Sequence, residues 1–218
     1  TQLVPSFRHL STRIPENNDI QVISYNVQGL GPNFRHITSD SVFMSSDILL
    51  LNETWTEETN IFEIPGFQMF STVDRPTGST HKIGSRCYVS DRLLQSTTNV
   101  QEYSRLFRSG RHTVSISIVI IQNTLYCSLY CSPQPTWSLL SEALTFVLEK
   151  EYSSIIIGGD FNIDFNKQSN LRQAVLNLME FNNMKSALPA SIKTTTKQGT
   201  VIDNIFVNKE IKAAGTYV

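Results

Sequence analysis

The sequence predicts a four-layer α/β sandwich, in which two packed mixed β-sheets are flanked by helices. Three observations lead there. Strand-like runs rich in β-branched and aromatic residues recur from residue 20 to residue 207. Two amphipathic helical stripes lie among the later runs. The strands are spaced too unevenly for a doubly wound parallel sheet, which leaves two sheets packed face to face with helices outside.

Taken in order, residues 1–19 are polar, carry Pro5 and Pro15, and read as a lead-in; residues 20–218 then form one domain. The first strand is expected at 20–25. A helical pattern follows over 33–46, and an unbroken apolar strand over 48–51. Strands over 67–72 and 84–89 come next. Arg105, Arg108, Arg111 and His112 read as a basic loop ahead of paired strands at 114–121 and 124–130, with Gln122-Asn123 as their tight turn. Leu140, Ala143, Leu144, Val147 and Leu148 make one stripe of a helix over 138–150. A buried strand at 154–158 runs into Gly158-Gly159, which allow a sharp turn and the close approach of another group, ahead of Asp160 and Asn162 on one face of an extended segment. A second helix spans 170–182, capped by Ser169, and a last strand spans 201–207.

Composition narrows the function. The formal net charge is −1, so the overall balance lends no support to nucleic-acid binding, and any attraction for phosphate must be local. Cys87, Cys127 and Cys131 form no CxxC pair and fit buried thiols in a reducing compartment better than a disulfide framework. No apolar run is long enough to span a bilayer, and the N-terminus lacks a signal pattern, so an intracellular protein without a membrane partner is expected.

Several strands end in residues of a catalytic type. The first ends at Asn26, the second at Asn52-Glu53, the 124–130 strand at Tyr130 and the 154–158 strand just before Asp160, while Asp203 sits near the start of the last. One polar strand end means little, because strand ends meet water. A convergence of carboxylates, amides and a phenol is an oxygen-rich set that suits Mg²⁺ or Mn²⁺, and no histidine or cysteine pair has zinc spacing.

The ordered set Ser24-Tyr25-Asn26-Val27-Gln28-Gly29-Leu30, Leu51-Asn52-Glu53-Thr54-Trp55, Tyr130-Cys131-Ser132-Pro133, Gly159-Asp160-Phe161-Asn162 and Ile202-Asp203-Asn204-Ile205-Phe206-Val207 resembles the endonuclease/exonuclease/phosphatase superfamily. The flavour is that of apurinic-type endonuclease domains of non-LTR retrotransposons, or of helicase-encoding transposons. The resemblance implies a Mg²⁺-dependent DNA endonuclease, with Mn²⁺ as a substitute, encoded with a reverse transcriptase or helicase and acting in the nucleus. It assigns Glu53 and Asn26 to the metal and Asp160 to the attacking water. Asn162 would fix that water or the phosphate, Tyr130 would donate to the scissile phosphate, and Asp203 would be the acidic partner of a histidine. Gln28, Arg111 and Thr200 are implied substrate contacts, and Thr194-Thr195-Thr196 a polar run facing the DNA backbone or a plain loop.

One family feature is missing. The closing Ser-Asp-His motif does not occur, and His9, His36, His81 and His112 stand in other contexts. The expectation is therefore a domain lacking its last strand, either a fragment of a longer reading frame or a decayed copy. The alternatives are a catalytically dead DNA-binding relic, or a phosphatase or phosphodiesterase of the same superfamily acting on lipid, inositol phosphate or RNA.

Overall fold

A computed structural model describes residues 19–149, 151–189, 192–196 and 198–211. The lead-in and the chain's last residues therefore lie outside the described residues. Sheet one holds β1 (Val22–Asn26), β2 (Ile48–Asn52), β3 (Phe67–Val73) and β4 (Ser85–Ser90) in the order β1-β2-β4-β3. Sheet two holds β5 (Val100–Ser109), β6 (His112–Ile121), β7 (Thr124–Cys131), β8 (Ser154–Asp160), β9 (Lys185–Ser186) and β10 (Asp203–Val207) in the order β5-β6-β7-β8-β10-β9. Both sheets are mixed: β1–β2 and β7–β8 pair in parallel, the remaining neighbours antiparallel. The helices are α1 (Leu30–Ser39), α2 (Ser41–Ser45), α3 (Asp91–Gln95), α4 (Trp137–Leu148) and α5 (Asn170–Phe181).

Alternation along β2 explains the layering. Leu49 and Leu51 face outward and pack with Leu30, Ile37 and Phe43 of α1 and α2. Ile48 and Leu50 face inward and pack with Val119, Ile121 and Tyr126 of sheet two. A strand covered on both faces reads as an unbroken apolar run, as β2 does. On the far side, α4 and α5 lay Leu140, Leu144, Val175 and Met179 over the outer face of sheet two, with Cys127 and Cys131 in the same cluster. All three cysteines are free and buried.

The interior between the sheets is graded. The apolar layer gives way to serines: Ser117 Oγ donates to the Ser85 carbonyl (2.8 Å), and Ser128 Oγ to the Leu51 carbonyl (2.8 Å). Gly158 belongs to this layer, since a Cβ there would sit 2.6 Å from Ser24 Cβ. A side chain at Gly159 would collide with the Leu129 carbonyl of the neighbouring strand. Both glycines thus permit the close approach expected from sequence, while the sharp turn expected with it does not form, because both residues lie within β8.

Other expectations shift. The Gln122-Asn123 turn holds, with both residues at positive φ (49° and 62°). Ser169 Oγ accepts from Arg172 N–H, capping α5. The early helix is two, and α1 begins at Leu30, because Pro32 sits in a first turn whose N–H needs no partner. The Arg105–Arg108 loop is instead the body of β5, which pairs with β6 from Val100 to Ser109. As an edge strand, β5 needs only one hydrogen-bonded neighbour and keeps a polar exposed face. No helix among the described residues is long and apolar enough to cross a membrane.

Candidate active site

The C-terminal ends of β1, β2, β7 and β8 open on the same rim, where antiparallel β10 begins. Tyr130 and Asp203 are both register partners of Asp160, and Asn26 is the partner of Asn52. Sheet one thus delivers Asn26 and Glu53, and sheet two Tyr130, Asp160, Asn162 and Asp203.

Asn26 joins the halves. Its Nδ2 donates to Asp160 Oδ2 (2.8 Å) and to Glu53 Oε1 (3.1 Å). Its Oδ1 accepts the backbone N–H of Gln28 (3.2 Å), so Gln28 orients this amide with its main chain, while its side chain is exposed. Asp160 is 1% exposed. Its other oxygen accepts the Asn162 N–H (2.8 Å), and Asn162 Nδ2 donates to the Cys131 carbonyl (2.7 Å), binding the ends of β7 and β8 together. Asn162 has φ 50°, so Asp160 and Asn162 do not share the face of one extended segment, contrary to the sequence reading.

Main-chain strain concentrates here. Gln28, Glu53 and Trp55 have φ of 47°, 52° and 53°, a region side chains other than glycine adopt at a cost. Interlocking hydrogen bonds hold them: Gly29 N–H to the Glu53 carbonyl (2.8 Å), Leu30 N–H to the Thr54 carbonyl (2.8 Å) and Trp55 N–H to the Ile83 carbonyl (3.0 Å). Gly29 has φ 96° and lies under the Trp55 ring, 2.7 Å from where its Cβ would stand. Lys82 Nζ is 4.6 Å from the centre of that ring, placing a cation on the rim.

Burial and crowded charge set the protonation. Burial, then the Asp203 carboxylate, pushes Asp160 up from its ordinary 3.8 to about 8, against the pull of the Asn162 N–H. Burial raises Asp203 to about 6, with the Thr195 hydroxyl opposing and Glu53 adding to the rise. Burial, Glu53 and Asp160 keep the Tyr130 phenol protonated far beyond its ordinary range.

The other expected residues are less central. The Asp203 N–H donates to Thr195 Oγ1 (3.2 Å), and among the described residues no histidine hydrogen-bonds Asp203. Thr195, seen in sequence only as part of a polar run, is thus the residue that supports this acid. Thr200 Oγ1 is paired with Thr196 Oγ1 (2.7 Å) inside its own loop. Arg111 is exposed in the β5–β6 turn, on the same rim. Arg105 stacks on Phe107 and Phe146, so it braces α4 against sheet two instead of waiting for phosphate.

The donors are all oxygen or amide, the chemistry of a hard cation. No tight group of three acidic, histidine or cysteine side chains is present among the described residues. An open set suits Mg²⁺, which keeps several waters and takes one or two carboxylates beside substrate phosphate. Glu53 would be such a carboxylate, and Asn26, whose Nδ2 donates to it, would hold it in place.

Solved structures share this fold at low identity. The endonuclease domain of TRAS1, a telomere-specific non-LTR retrotransposon, matches with TM-score 0.63 and 13% identity over 86% of this chain and 83% of its own. The human Nocturnin catalytic domain matches with TM-score 0.59 and 13% identity over 87% and 83%. The Leishmania major AP endonuclease LMAP matches with TM-score 0.53 and 15% identity over 86% and 78%. The chain shares the fold of these solved structures, and the motifs at its strand ends resemble those of the endonuclease/exonuclease/phosphatase superfamily. More particularly, residues 124–217 match the family model described as endonuclease-reverse transcriptase. That stretch holds Tyr130, Asp160, Asn162 and Asp203, while Asn26 and Glu53 precede it. No curated protein matches the chain at a significant level.

Proposed function

We propose that this chain is a Mg²⁺-dependent DNA endonuclease of mobile-element type, with Mn²⁺ able to replace Mg²⁺. The observation that carries the reading is the Asn26 amide bridging Glu53 and Asp160 across two sheets, beside a protonated phenol. The match to the endonuclease-reverse transcriptase model and the likeness to the TRAS1 domain support the DNA substrate, a reverse transcriptase encoded with it and work in the nucleus.

Glu53 and Asn26 would hold the cation, whose charge would offset that of the phosphate and lower the pKa of bound water. Asp160 accepts the proton of the attacking water, and an acid titrating near neutrality is well matched to that transfer. Asn162 fixes the carboxylate through its N–H and anchors the β7 end. Tyr130 donates to a phosphate oxygen. Asp203 tunes Asp160 through its charge, supported by Thr195. Arg111 and Lys82 face the nucleic-acid backbone from opposite sheets.

A second reading has one observation behind it: among the described residues the support of the Asp203 carboxylate comes from the Thr195 hydroxyl and from no histidine. That reading is a DNA-binding domain with impaired chemistry. Supercoiled plasmid separates the two. The endonuclease reading expects nicking in Mg²⁺ that stops in chelator and falls about 10²-fold or more in Asp160→Ala and Glu53→Ala. Retention of plasmid in gel shifts without nicking would select the second reading.

A further inference from the structure

Below the pocket, strand register and alternation bring three polar side chains to the facing sides of the two sheets. The two serine contacts already described set β7 opposite β2 and β6 opposite β4. One step nearer the rim, β2 supplies Asn52, β7 supplies Tyr130 and β6 supplies Ser115, the register partner of Tyr130. All three share the inward phase of Leu50, Ser128 and Ser117. Asn52 and Ser115 are 0% exposed and Tyr130 is 3% exposed.

Both polar atoms of the Asn52 amide and the Ser115 hydroxyl are buried without a hydrogen-bond partner among the described residues, and the Tyr130 hydroxyl feels Glu53 and Asp160 through charge and makes no hydrogen bond there. Buried polar groups of this kind are normally satisfied. Ser85, the register partner of Asn52, and Ser117 and Ser128, one step further in, all are. Other buried atoms without a partner among the described residues, on Trp55, Arg75, Arg86 and Thr113, are single atoms, whereas the Asn52 amide has both of its polar atoms unmet. The set under the site comprises an amide with donor and acceptor, an aliphatic hydroxyl and a phenol. A neutral molecule that both donates and accepts fits this set, and buried water commonly takes about three such partners.

We propose that Asn52, Ser115 and Tyr130 form a polar seat for one ordered water molecule between the sheets, and that Asn52 and Ser115 thereby act as positioning residues for the Tyr130 hydroxyl. The seat fixes the direction in which the phenol donates, so the hydroxyl is aimed before substrate arrives. Its catalytic consequence rests on the hydrolase reading above; its existence does not.

Two experiments test it. A crystal structure of the whole chain at a resolution that shows solvent is expected to place a water within hydrogen-bonding distance of the Asn52 amide, Ser115 Oγ and Tyr130 Oη. A dry gap there, or a direct Asn52–Tyr130 hydrogen bond, would overturn the proposal. This arm holds even if the protein hydrolyses nothing, an outcome that sinks only the hydrolase reading. In plasmid nicking, Asn52→Leu is expected to lower kcat about tenfold with KM unchanged and thermal stability equal or higher, because an apolar side chain replaces an amide that nothing in the protein binds. Asn52→Leu/Tyr130→Phe is expected to be no slower than Tyr130→Phe alone. Wild-type kcat in Asn52→Leu, or multiplying losses in the double variant, would refute the positioning role. Ser115→Ala provides the same comparison if the leucine variant does not fold.

Discussion

Asp160 should make the metal-free protein less stable as the pH rises through neutrality. Its pKa is 3.8 in an ordinary environment and about 8 in the folded site, so the folded chain holds this proton far more tightly than the unfolded chain does. The sign follows from linkage. The contribution is fully present below 3.8 and is lost progressively as the pH climbs to about 8. A difference of about four pH units, at about 1.4 kcal/mol each, has a ceiling on the order of 5 kcal/mol. For a domain of this size that corresponds to a Tm difference on the order of 10 °C. Other carboxylates titrate in the same range, so the useful quantity is the wild type minus Asp160→Asn, which keeps an acceptor for the Asn162 N–H. Calorimetry in chelator from pH 4 to pH 8.5 should show Asp160→Asn gaining steadily on the wild type across that window. A difference that stays flat within about 1 kcal/mol would show that burial and Asp203 do not hold Asp160 neutral, and the account of its protonation would fail.

Three further outcomes are expected. At pH 8, millimolar Mg²⁺ should raise the wild-type Tm and leave Glu53→Gln nearly unmoved, since only a cation bound by the folded state stabilises it; equal shifts in a thermal melt would remove Glu53 from the metal site. Gly158→Ala should cost about 1–3 kcal/mol by pressing on Ser24, and adding Ser24→Gly should recover part of that loss in urea denaturation. Arg86→Met should cost about 3–5 kcal/mol, because it strips the buried Asp74 carboxylate of its guanidinium and leaves it with the Thr56 and Thr72 hydroxyls.

What could be read in the sequence follows from where each feature is decided. The β2 and β8 runs and the α4 and α5 stripes are local patterns of burial, and they sit close to where expected. Asn26, Glu53, Tyr130 and Asp160 were legible because strand ends carrying acids and amides recur in one order. The β5 strand was not legible: most of its residues are exposed, and its identity as a strand depends on pairing with β6. Close approach at Gly158 and Gly159 is legible in the sequence, but the groups that approach, Ser24 and the Leu129 carbonyl, lie on other strands, and so the continuation of β8 through both glycines is not. Thr195 escaped notice because nothing near it in sequence shows that its hydroxyl will receive the Asp203 N–H.

The strands of sheet one all lie between residues 22 and 90, and those of sheet two between residues 100 and 207. The chain is therefore two consecutive halves, and the pocket is the seam between them. Residues 96–99 run along the surface at that division, with Ser96, Thr98 and Asn99 exposed. A cut there would leave each fragment with a complete sheet and half of the chemistry: Glu53 and Asn26 on one, Asp160, Tyr130 and Asp203 on the other. On the hydrolase reading, nicking recovered on mixing the pieces would report their reunion across that seam.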